Sequence, residues 1–547
     1  MFRRFGFVSL LLLCGFVFSN RVLARDKWTE LNIGPFYVDT GGDIGAARND
    51  LTQLEQVRWV LGGLLESPDL TSIWPIRLIL TQNAKTNPNG FVFRLGQWVF
   101  VCPPEARLPL DQVARILLDD NTPRLPPNVE KGLPELFSTL EAHGARVTWG
   151  GPPAHPDLAW ARMQLFATKF EYSLSFHVFL AALKTGTDLR AAERNAFGKD
   201  PDALEKEAAA NLAAGNWQPV PVSGRPLDPK RDFGEHGLDE PSAQAYIASA
   251  DVNDLGAAEK AYKDAVAAGG SAAALGYQGL CVLAETRNQD STAFCEAARK
   301  AGSRSAPVYI PDVLDEQALP LLKRAEQLNP RWAVPVHDES LVTADPAQKL
   351  ALLKKATQLD PRMTAWWVEL AKLQTSLGQA SAAQSSWARA EDSAPNEQMR
   401  EQIHREYADS EQERLDAEEK AAKRERDAAR EADERAQQAE AERIRAAEER
   451  ANRGKDNTPE EVVPWSAVVP SKHLSGKLVN VECLGGNARL EIKDQHGASI
   501  RLLLKNVSES GLTCGSQKPG RTISLTYSAQ PDDRFQTAGL ITALKLQ

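Results

Sequence analysis

Three segments of similar shape each end in a proline, and their spacing is the strongest constraint on the fold. The segments are ALPLLKRAEQLNP, KLALLKKATQLDP and AAQSSWARAEDSAP, which close at Pro330, Pro361 and Pro395. These prolines are separated by 31 and 34 residues. A short amphipathic helix cannot bury its apolar stripe alone, so equivalent helices at a near-constant period must stack on one another. The sequence therefore predicts a helical solenoid over residues 241–395.

The period and the helix endings resemble tetratricopeptide repeats, which are helix pairs of about 34 residues that stack into a superhelix. Two earlier stretches, 246–268 and 273–301, look like degenerate copies of the same unit. The resemblance implies that the partner is a protein or a peptide segment bound on the repeat surface.

Three tryptophans, Trp366, Trp367 and Trp387, belong to the last clear repeat. They either anchor a ligand or pack between helices, as large apolar side chains usually do. Adjacent residues do not share a helix face, so Trp366 and Trp367 must point in different directions. The one that points away from the packed face is the better candidate for partner binding.

The segment 110–140 contains two helix-like stretches around a proline-rich turn: LDQVARILLDDNTPRLPPNVEKGLPELFSTL. It resembles the peptidase-MA-like branch of the gluzincins, in which H-E-x-x-H-x-L-L precedes L-P-x-W-x-x-E-G-L-A-E-x-F. The sequence AFGKDPDALE at 196–205 continues the resemblance. A gluzincin-like domain over residues 25–218 would have an α+β fold.

The residues that would hold zinc in such a domain are replaced. Asp111 and Arg115 occupy the two histidine positions, Gln112 the general-base position and Lys131 the third ligand position. An amide cannot accept a proton near neutral pH, and a lysine ammonium would repel a dication. We therefore expect no metal, no cofactor and no catalysis, and we expect Asp111 and Arg115 to pair with each other. The rival hypothesis is a hydrolase with a rearranged site around these residues and Glu135.

Two linkers and one long helix are predicted from composition. The stretch 219–240 is rich in Pro and Gly, which indicates a linker, and so is 454–475. Residues 396–453 contain neither Pro nor Gly and interleave acidic with basic residues, which predicts a single charged helix. Its seam of small alanines favours a solvated spacer, with self-association as a coiled coil as the alternative.

The last residues, 476–547, alternate apolar and polar positions in five short stretches separated by turns. This pattern predicts a small β-barrel-like domain or a curled sheet of OB-like or SH3-like size, and Cys483 and Cys514 form its expected disulfide. Cys281 and Cys295 are a second possible pair, and Cys102 is expected as a buried thiol. Cell-wall or glycan binding through this β domain is a further alternative function.

The first 24 residues carry Arg3 and Arg4, then an apolar run, and end with a small residue at Ala24. This is the pattern of a secretory signal peptide cleaved near Ala24, which predicts a secreted or periplasmic protein without a membrane span after cleavage. A net charge of −9 argues against nucleic acid as a partner. The sequence as a whole predicts a mainly α, multidomain, non-catalytic scaffold that binds protein.

Overall fold

The computed structural model describes residues 28–82, 84, 90–251, 253–453 and 470–546. The predicted signal peptide and residues 454–469 of the second predicted linker lie outside this part of the chain. The chain divides into two compact units, Met1–Ala428 and Ala429–Gln547, each described by itself. Within the described residues, no helix is both long and apolar enough to cross a membrane.

A six-stranded mixed sheet and a small three-stranded sheet organise the first domain. In chain order the strands are β1 (Trp28–Ile33), β2 (Phe36–Thr40), β3 (Ile76–Leu80), β4 (Val92–Arg94), β5 (Gln97–Cys102), β6 (Glu141–His143), β7 (Arg146–Trp149), β8 (Val220–Ser223) and β9 (Gly234–Leu238). The larger sheet has the order β4-β5-β3-β2-β1-β9, and the smaller one has the order β6-β7-β8. β3 lies between two parallel neighbours and is buried at all five positions, as expected of a strand in the middle of a covered sheet.

Helices surround the larger sheet and share one apolar core with it. They are α1 (Ile44–Leu64), α2 (Leu110–Asn121), α3 (Pro127–Glu135), α4 (Leu158–Thr168), α5 (Phe170–Ser173), α6 (Phe176–Lys184), α7 (Leu189–Phe197) and α8 (Pro201–Ala214). Several side chains of this core are fully buried: Leu54 of α1, Leu117 of α2, Phe137 just after α3, and Trp160 of α4. The segment with the peptidase-like pattern is therefore part of the interior of the domain, where α2 and α3 are fixed by their apolar faces.

The stretch 219–240 is not a linker, contrary to the prediction from its composition. Its strand β9 pairs antiparallel with β1, and its strand β8 pairs with β7. Gln56 of α1 holds the backbone between them, because its side-chain amide accepts from Arg225 N at 2.7 Å and donates to Arg225 O at 2.8 Å. Arg225 also forms an ion pair with the buried Glu55. This stretch is therefore the closing part of the first domain.

Nine helices follow in the described chain and pack in sequence. They are α9 (Glu240–Ala250), α10 (Leu255–Ala268), α11 (Gly270–Thr286), α12 (Thr292–Lys300), α13 (Leu319–Leu328), α14 (Val334–Val342), α15 (Pro346–Leu359), α16 (Thr364–Ser376) and α17 (Ala380–Asp392). Asn329 and Asp360 end α13 and α15 with nearly the same backbone angles, φ/ψ of −138°/86° and −131°/89°. Two of the three repeat endings matched in the sequence are thus equivalent in geometry, whereas α17 ends at Ser393 with φ/ψ of −84°/−4°.

One long helix, α18 (Glu397–Asn452), occupies the charged run for which a helix over 396–453 was predicted. Its first turns are not a free spacer. Ile403 is 2% exposed and packs with Ala371 and Trp387, and Tyr407 joins the same cluster. The beginning of α18 therefore covers the apolar face of the last repeat, which would otherwise be open to water.

The second unit contains a curled six-stranded sheet. Its strands are β10 (Ser471–Leu484), β11 (Asn487–Asp494), β12 (Ser499–Leu504), β13 (Gly515–Ser516), β14 (Thr522–Ser528) and β15 (Leu540–Leu546), so the last residues of the predicted linker 454–475 are already strand. Of the two predicted forms, the barrel is wrong because the sheet is not closed, and β12 and β15 share only one parallel residue pair, Leu503 with Leu540. The curled sheet is the form that this unit adopts. Alternate residues such as Leu490, Ile492 and Ile523 point to the inside and are fully buried.

The cysteines form the two disulfides that the sequence offered. Cys483 pairs with Cys514, and Cys281 pairs with Cys295. Cys102 is a free, fully buried thiol. Burial raises the pKa of the Cys102 thiol to about 12, so it remains protonated and packs as a small apolar residue.

Candidate functional site

Gln112, at the general-base position of the peptidase-like pattern, bonds to the edge of the larger sheet. Its Oε1 accepts from the backbone N–H of Phe91 at 2.8 Å, just before the edge strand β4. Gly90 makes this approach possible, since a Cβ there would lie 2.1 Å from Gln112 Oε1. Gln112 therefore joins α2 to the chain just before the edge strand.

Lys131, at the third ligand position, forms an ion pair with Asp157. The hydrogen bond to Asp157 raises the pKa of the Lys131 ammonium, which keeps it charged. Asp157 also caps α4 by accepting from Trp160 N at 2.9 Å. The cation is therefore held at the start of a neighbouring helix.

Asp111 and Arg115 do not form the predicted pair. Among the described side chains, the hydrogen bonds and ion pairs within 4.0 Å do not join these two residues, although both lie on α2. Glu135, at the end of α3, has a raised carboxyl pKa. Burial is the larger cause, and the negative charge of Asp157 is the second. Its buried Oε2 has no hydrogen-bond partner.

The peptidase-like positions do not belong to a group of closely spaced metal-ligand atoms among the described residues. In the described part of the chain, only Cys281, Glu285 and Cys295 bring three histidine, cysteine or carboxylate ligand atoms within 4.8 Å of one another. None of them is at the peptidase-like positions. The arrangement around Asp111, Gln112, Arg115 and Lys131 can stabilise the packing of α2 and α3, but it does not converge on a cation.

The repeat turns dock onto the domain that carries these residues. Arg331 follows Pro330 and donates to Thr71 O at 2.7 Å and to Asp120 O at 2.8 Å. Arg362 follows Pro361 and forms ion pairs with Asp119 at 3.0 Å and Glu130 at 2.5 Å. Equivalent arginines of two successive repeats therefore grip the end of α2 and the start of α3. The sequence signal for these two arginines is the repeated Pro-Arg pair at the repeat endings.

Arg124 extends this contact to the third turn, because its Nε donates to Ser393 O at 2.9 Å. Asn329 adds a bond from its Nδ2 to Ile73 O at 2.8 Å. Gln278 of α11 donates to Leu95 O at 2.6 Å at the other end of the contact. The first domain and the helical repeats are thus bonded along most of the length of the repeats.

A cavity of about 790 Å³ remains between the larger sheet and the first repeat helices. Its walls come from the sheet, from the β4–β5 turn, from the start of α11 and from the segment 301–306. The lining combines small and apolar residues with polar and aromatic ones, and the latter include Glu30, Tyr37, Trp74, Arg77, Gln97, Tyr246, Ser271, Gln278 and Arg304. Its size matches that of sites that enclose a small molecule or a few residues of peptide.

Arg77 is the central charge in the wall of this cavity. It forms ion pairs with Asp39 at 2.6 Å and Glu30 at 2.9 Å, and its guanidinium lies 4.2 Å from the ring centre of Tyr246. Burial alone would lower the pKa of Arg77, but the charges of Tyr246, Asp39 and Glu30 raise it. Burial raises the pKa of Asp39 to about 6, even though Arg77 opposes the shift. The wall is therefore rigid and internally paired.

The three candidate tryptophans have different positions in the structure. Trp387 is 1% exposed and Trp366 is 6% exposed, so both pack inside the repeats. Trp366 stacks on His337 with ring centres 4.7 Å apart. Trp367 is half-buried and lines a smaller cavity of about 290 Å³, beside Leu183 and Arg389. Of the three, Trp367 is the side chain that a ligand could reach.

No protein-family model matches the chain, and no curated protein matches it. Among solved structures, YrrB, a tetratricopeptide-repeat protein with an unusual peptide-binding site, is 18% identical with a TM-score of 0.25. That similarity covers 30% of this chain and 92% of that chain. A thermophilic tetratricopeptide-repeat protein of Thermus thermophilus is 26% identical with a TM-score of 0.16, over 31% of this chain and 81% of that chain.

Both similar structures are tetratricopeptide-repeat proteins. Within this chain, the successive helix pairs and the matching turns at Asn329 and Asp360 agree with the predicted repeats. We conclude that the helical part of the chain resembles tetratricopeptide-repeat proteins.

Proposed function

We propose that the chain is an exported, non-catalytic scaffold that binds a protein or peptide segment between a pseudopeptidase domain and its repeats. The observation that carries this proposal is the cavity of about 790 Å³, which is walled on one side by the sheet and on the other by α9 and α11. A partner bound there would contact both parts at once.

The contacts of Gln112 and Lys131, at the peptidase-like positions, support a binding function over catalysis. Gln112 is bonded to Phe91 N, and Lys131 is paired with Asp157. Catalysis of peptide hydrolysis with zinc requires imidazole or carboxylate ligands and a proton acceptor, which these two side chains do not provide. Their contacts are those of structural residues.

The docking of the repeats supports the same proposal. Arg331 and Arg362 use the repeat turns to hold the first domain, so the surface of the turns is already occupied by this contact. The cavity lies beside it and is lined by side chains from both parts. A rigid contact next to an open cavity is a suitable arrangement for a pre-formed binding site, which costs little conformational entropy on association.

Filling the cavity tests the proposal directly. Ala274 of α11 lines the cavity, and Ala274→Trp would occupy part of its volume. The full-length wild type and variant are crosslinked in cell-envelope extract, and the captured partner is quantified by mass spectrometry. We expect the variant to capture at least tenfold less partner than the wild type. The same side chain placed on the exposed surface of α15, in Lys354→Trp, is the matched control and retains the partner. Equal capture by both variants would exclude the cavity as the binding site.

Export belongs to the same proposal and rests on the pattern of residues 1–24. Two disulfides in the described chain agree with folding in an oxidising compartment. N-terminal sequencing of the protein recovered from a periplasmic fraction tests it, and we expect the mature chain to begin near Arg25. Recovery of the full chain only from the cytoplasm would contradict export.

A hydrolase with a rearranged site is the second candidate, because Glu135 has a raised pKa and a buried carboxylate oxygen without a partner. A raised carboxyl pKa is one property of a general acid or base. The purified full-length protein, assayed on a mixed peptide library with and without chelator, separates the two candidates. Cleavage that disappears in Glu135→Gln would establish the hydrolase.

A further inference from the structure

Two cysteines and a glutamate meet between α11 and α12. Cys281 and Glu285 are four residues apart on α11, so they share one face of that helix, and α12 brings Cys295 to the same place. Glu285 Oε1 lies 3.5 Å from Cys281 Sγ and 3.8 Å from Cys295 Sγ. One carboxylate therefore contacts both sulfur atoms of a disulfide.

Among the described residues, no ion pair within 4.0 Å joins Glu285 to a lysine, arginine or histidine. Its carboxylate is therefore not held by a neighbouring cation. The Glu285 carboxylate and the two cysteine sulfur atoms lie within 4.8 Å of one another, and these are donor atoms that a thiophilic metal ion binds.

Access to the group is also suitable for a metal ion. Cys281 and Cys295 are 2% and 8% exposed, so the sulfur atoms are shielded from water. Glu285 is exposed, and its carboxylate opens the group to solvent on one side. A cation could enter along the carboxylate and be retained by the buried sulfurs.

We propose that reduction of the Cys281–Cys295 disulfide creates a binding site for a thiophilic divalent cation such as Zn²⁺. A dithiol reductant would supply two electrons and two protons, so that the sulfur–sulfur bond breaks, two thiols form and the reductant becomes a disulfide. On binding, the two thiols release their protons and form two metal–sulfur bonds. Glu285 is the third ligand, and water completes a tetrahedral site.

The chain contains its own control for this proposal. Cys483 and Cys514 form a second disulfide, but among the described residues they are not part of any group of three close ligand atoms. Both pairs yield two thiols on reduction. The difference between them is the carboxylate beside the first pair, which is the feature on which the proposal depends.

The test is a Zn²⁺ titration of the tag-free, full-length protein in the presence of a chromophoric chelator, after reduction with a phosphine and removal of metal under nitrogen. We expect one equivalent of Zn²⁺ bound by the reduced wild-type protein and by reduced Cys483→Ser. We expect none in the oxidised wild type or in reduced Cys281→Ser. Glu285→Gln, which keeps both cysteines, should bind Zn²⁺ at least tenfold more weakly.

Cd²⁺ provides a second readout, because thiolate coordination gives an ultraviolet charge-transfer absorption that a carboxylate site lacks. Circular dichroism of each reduced variant shows whether the helices remain folded during the titration. The proposal is overturned if the reduced wild type binds no Zn²⁺, or if Cys281→Ser binds as much as the wild type. Equal binding before and after reduction would overturn it as well.

Discussion

At the scale of single residues, His337 shows how a repeat protein can keep a charge in its interior. Its Nε2 lies 3.0 Å from Glu369, its Nδ1 lies 3.4 Å from Asp338, and its ring stacks on Trp366. Burial alone would lower the pKa of His337, but the hydrogen bonds to Asp338 and Glu369 raise it to about 9. The imidazolium therefore links α14 to α16 at neutral pH.

The raised pKa of His337 predicts a loss of stability in alkaline solution. A histidine whose folded pKa lies above its unfolded value of about 6.5 contributes its full stabilisation below pH 6.5 and loses it as the pH rises through about 9. We expect the free energy of unfolding to fall by about 3 kcal/mol over this interval. Urea denaturation at pH 6.5 and pH 10 measures the change.

His337→Gln is the matched variant, since glutamine can still hydrogen-bond to Glu369 but does not titrate. The raised pKa values of Asp39, about 6, and Asp50, about 7, affect stability at lower pH and are common to both proteins. The wild type should therefore lose more stability than His337→Gln between pH 7.5 and pH 10. If the free energy of unfolding falls equally with pH in both proteins, His337 is not the cause of the alkaline loss of stability.

At the scale of elements, the contact of α3 with α4 explains a glycine in the peptidase-like pattern. A Cβ at Gly132 would lie 2.2 Å from the carbonyl oxygen of Ala159 and 3.0 Å from Met163. The two helices can approach this closely only because position 132 has no side chain. The glycine thus maintains the close packing of α3 against α4.

Gly132→Ala tests this contact. Because the methyl group would clash with backbone atoms of α4, we expect a loss of about 1–3 kcal/mol in the free energy of unfolding. Gly63→Ala in α1 is the control, since a Cβ there would meet nothing within 4 Å, and helix propensity predicts unchanged or slightly higher stability. Chemical denaturation of both variants gives the comparison. A fully stable Gly132→Ala would mean that α3 and α4 can shift apart at little cost.

Composition alone could not predict that residues 219–240 form strands of the first domain. Residues 219–240 contain many Pro and Gly, and such a stretch has the same composition in a linker as in an edge strand. Only the pairing of β9 with β1 and the bonds from Gln56 to Arg225 distinguish the two cases. Periodic segments were easier to predict, because the apolar stripes of α13 and α15 and the turns at Asn329 and Asp360 are local features.

At the scale of the whole molecule, the sequence predicted the separate parts but not the contact between the first domain and the repeats. The disulfide partners, the repeat helices and the charged helix follow from patterns within short segments. The bonds of Arg331 and Arg362 to the ends of α2 and α3 join residues more than 200 positions apart. The repeated Pro-Arg pair marks the two arginines, but it does not show which distant residues they contact. The candidate cavity beside this contact could not be predicted for the same reason.

The double variant Arg331→Ala/Arg362→Ala tests the importance of this contact. Each substitution leaves partly buried carbonyl or carboxylate groups without a donor, which costs about 1–3 kcal/mol per site. We expect faster hydrogen exchange at residues 69–76 and 117–131 and a lower unfolding midpoint. Arg324→Ala, on the exposed surface of α13, should change neither. Exchange rates identical to those of the wild type would show that the domains remain docked without the two arginines.

The pairing of β9 with β1 has a practical consequence for where the first domain can be cut. A fragment that stops at residue 218 lacks the last strand of the sheet order β4-β5-β3-β2-β1-β9. It would leave the outer N–H and C=O groups of β1 unpaired along Trp28–Ile33, and unprotected edges of this kind recruit strands from other molecules. Such a fragment is expected to precipitate or form oligomers. A fragment that extends through Leu238 retains β9, which pairs with β1.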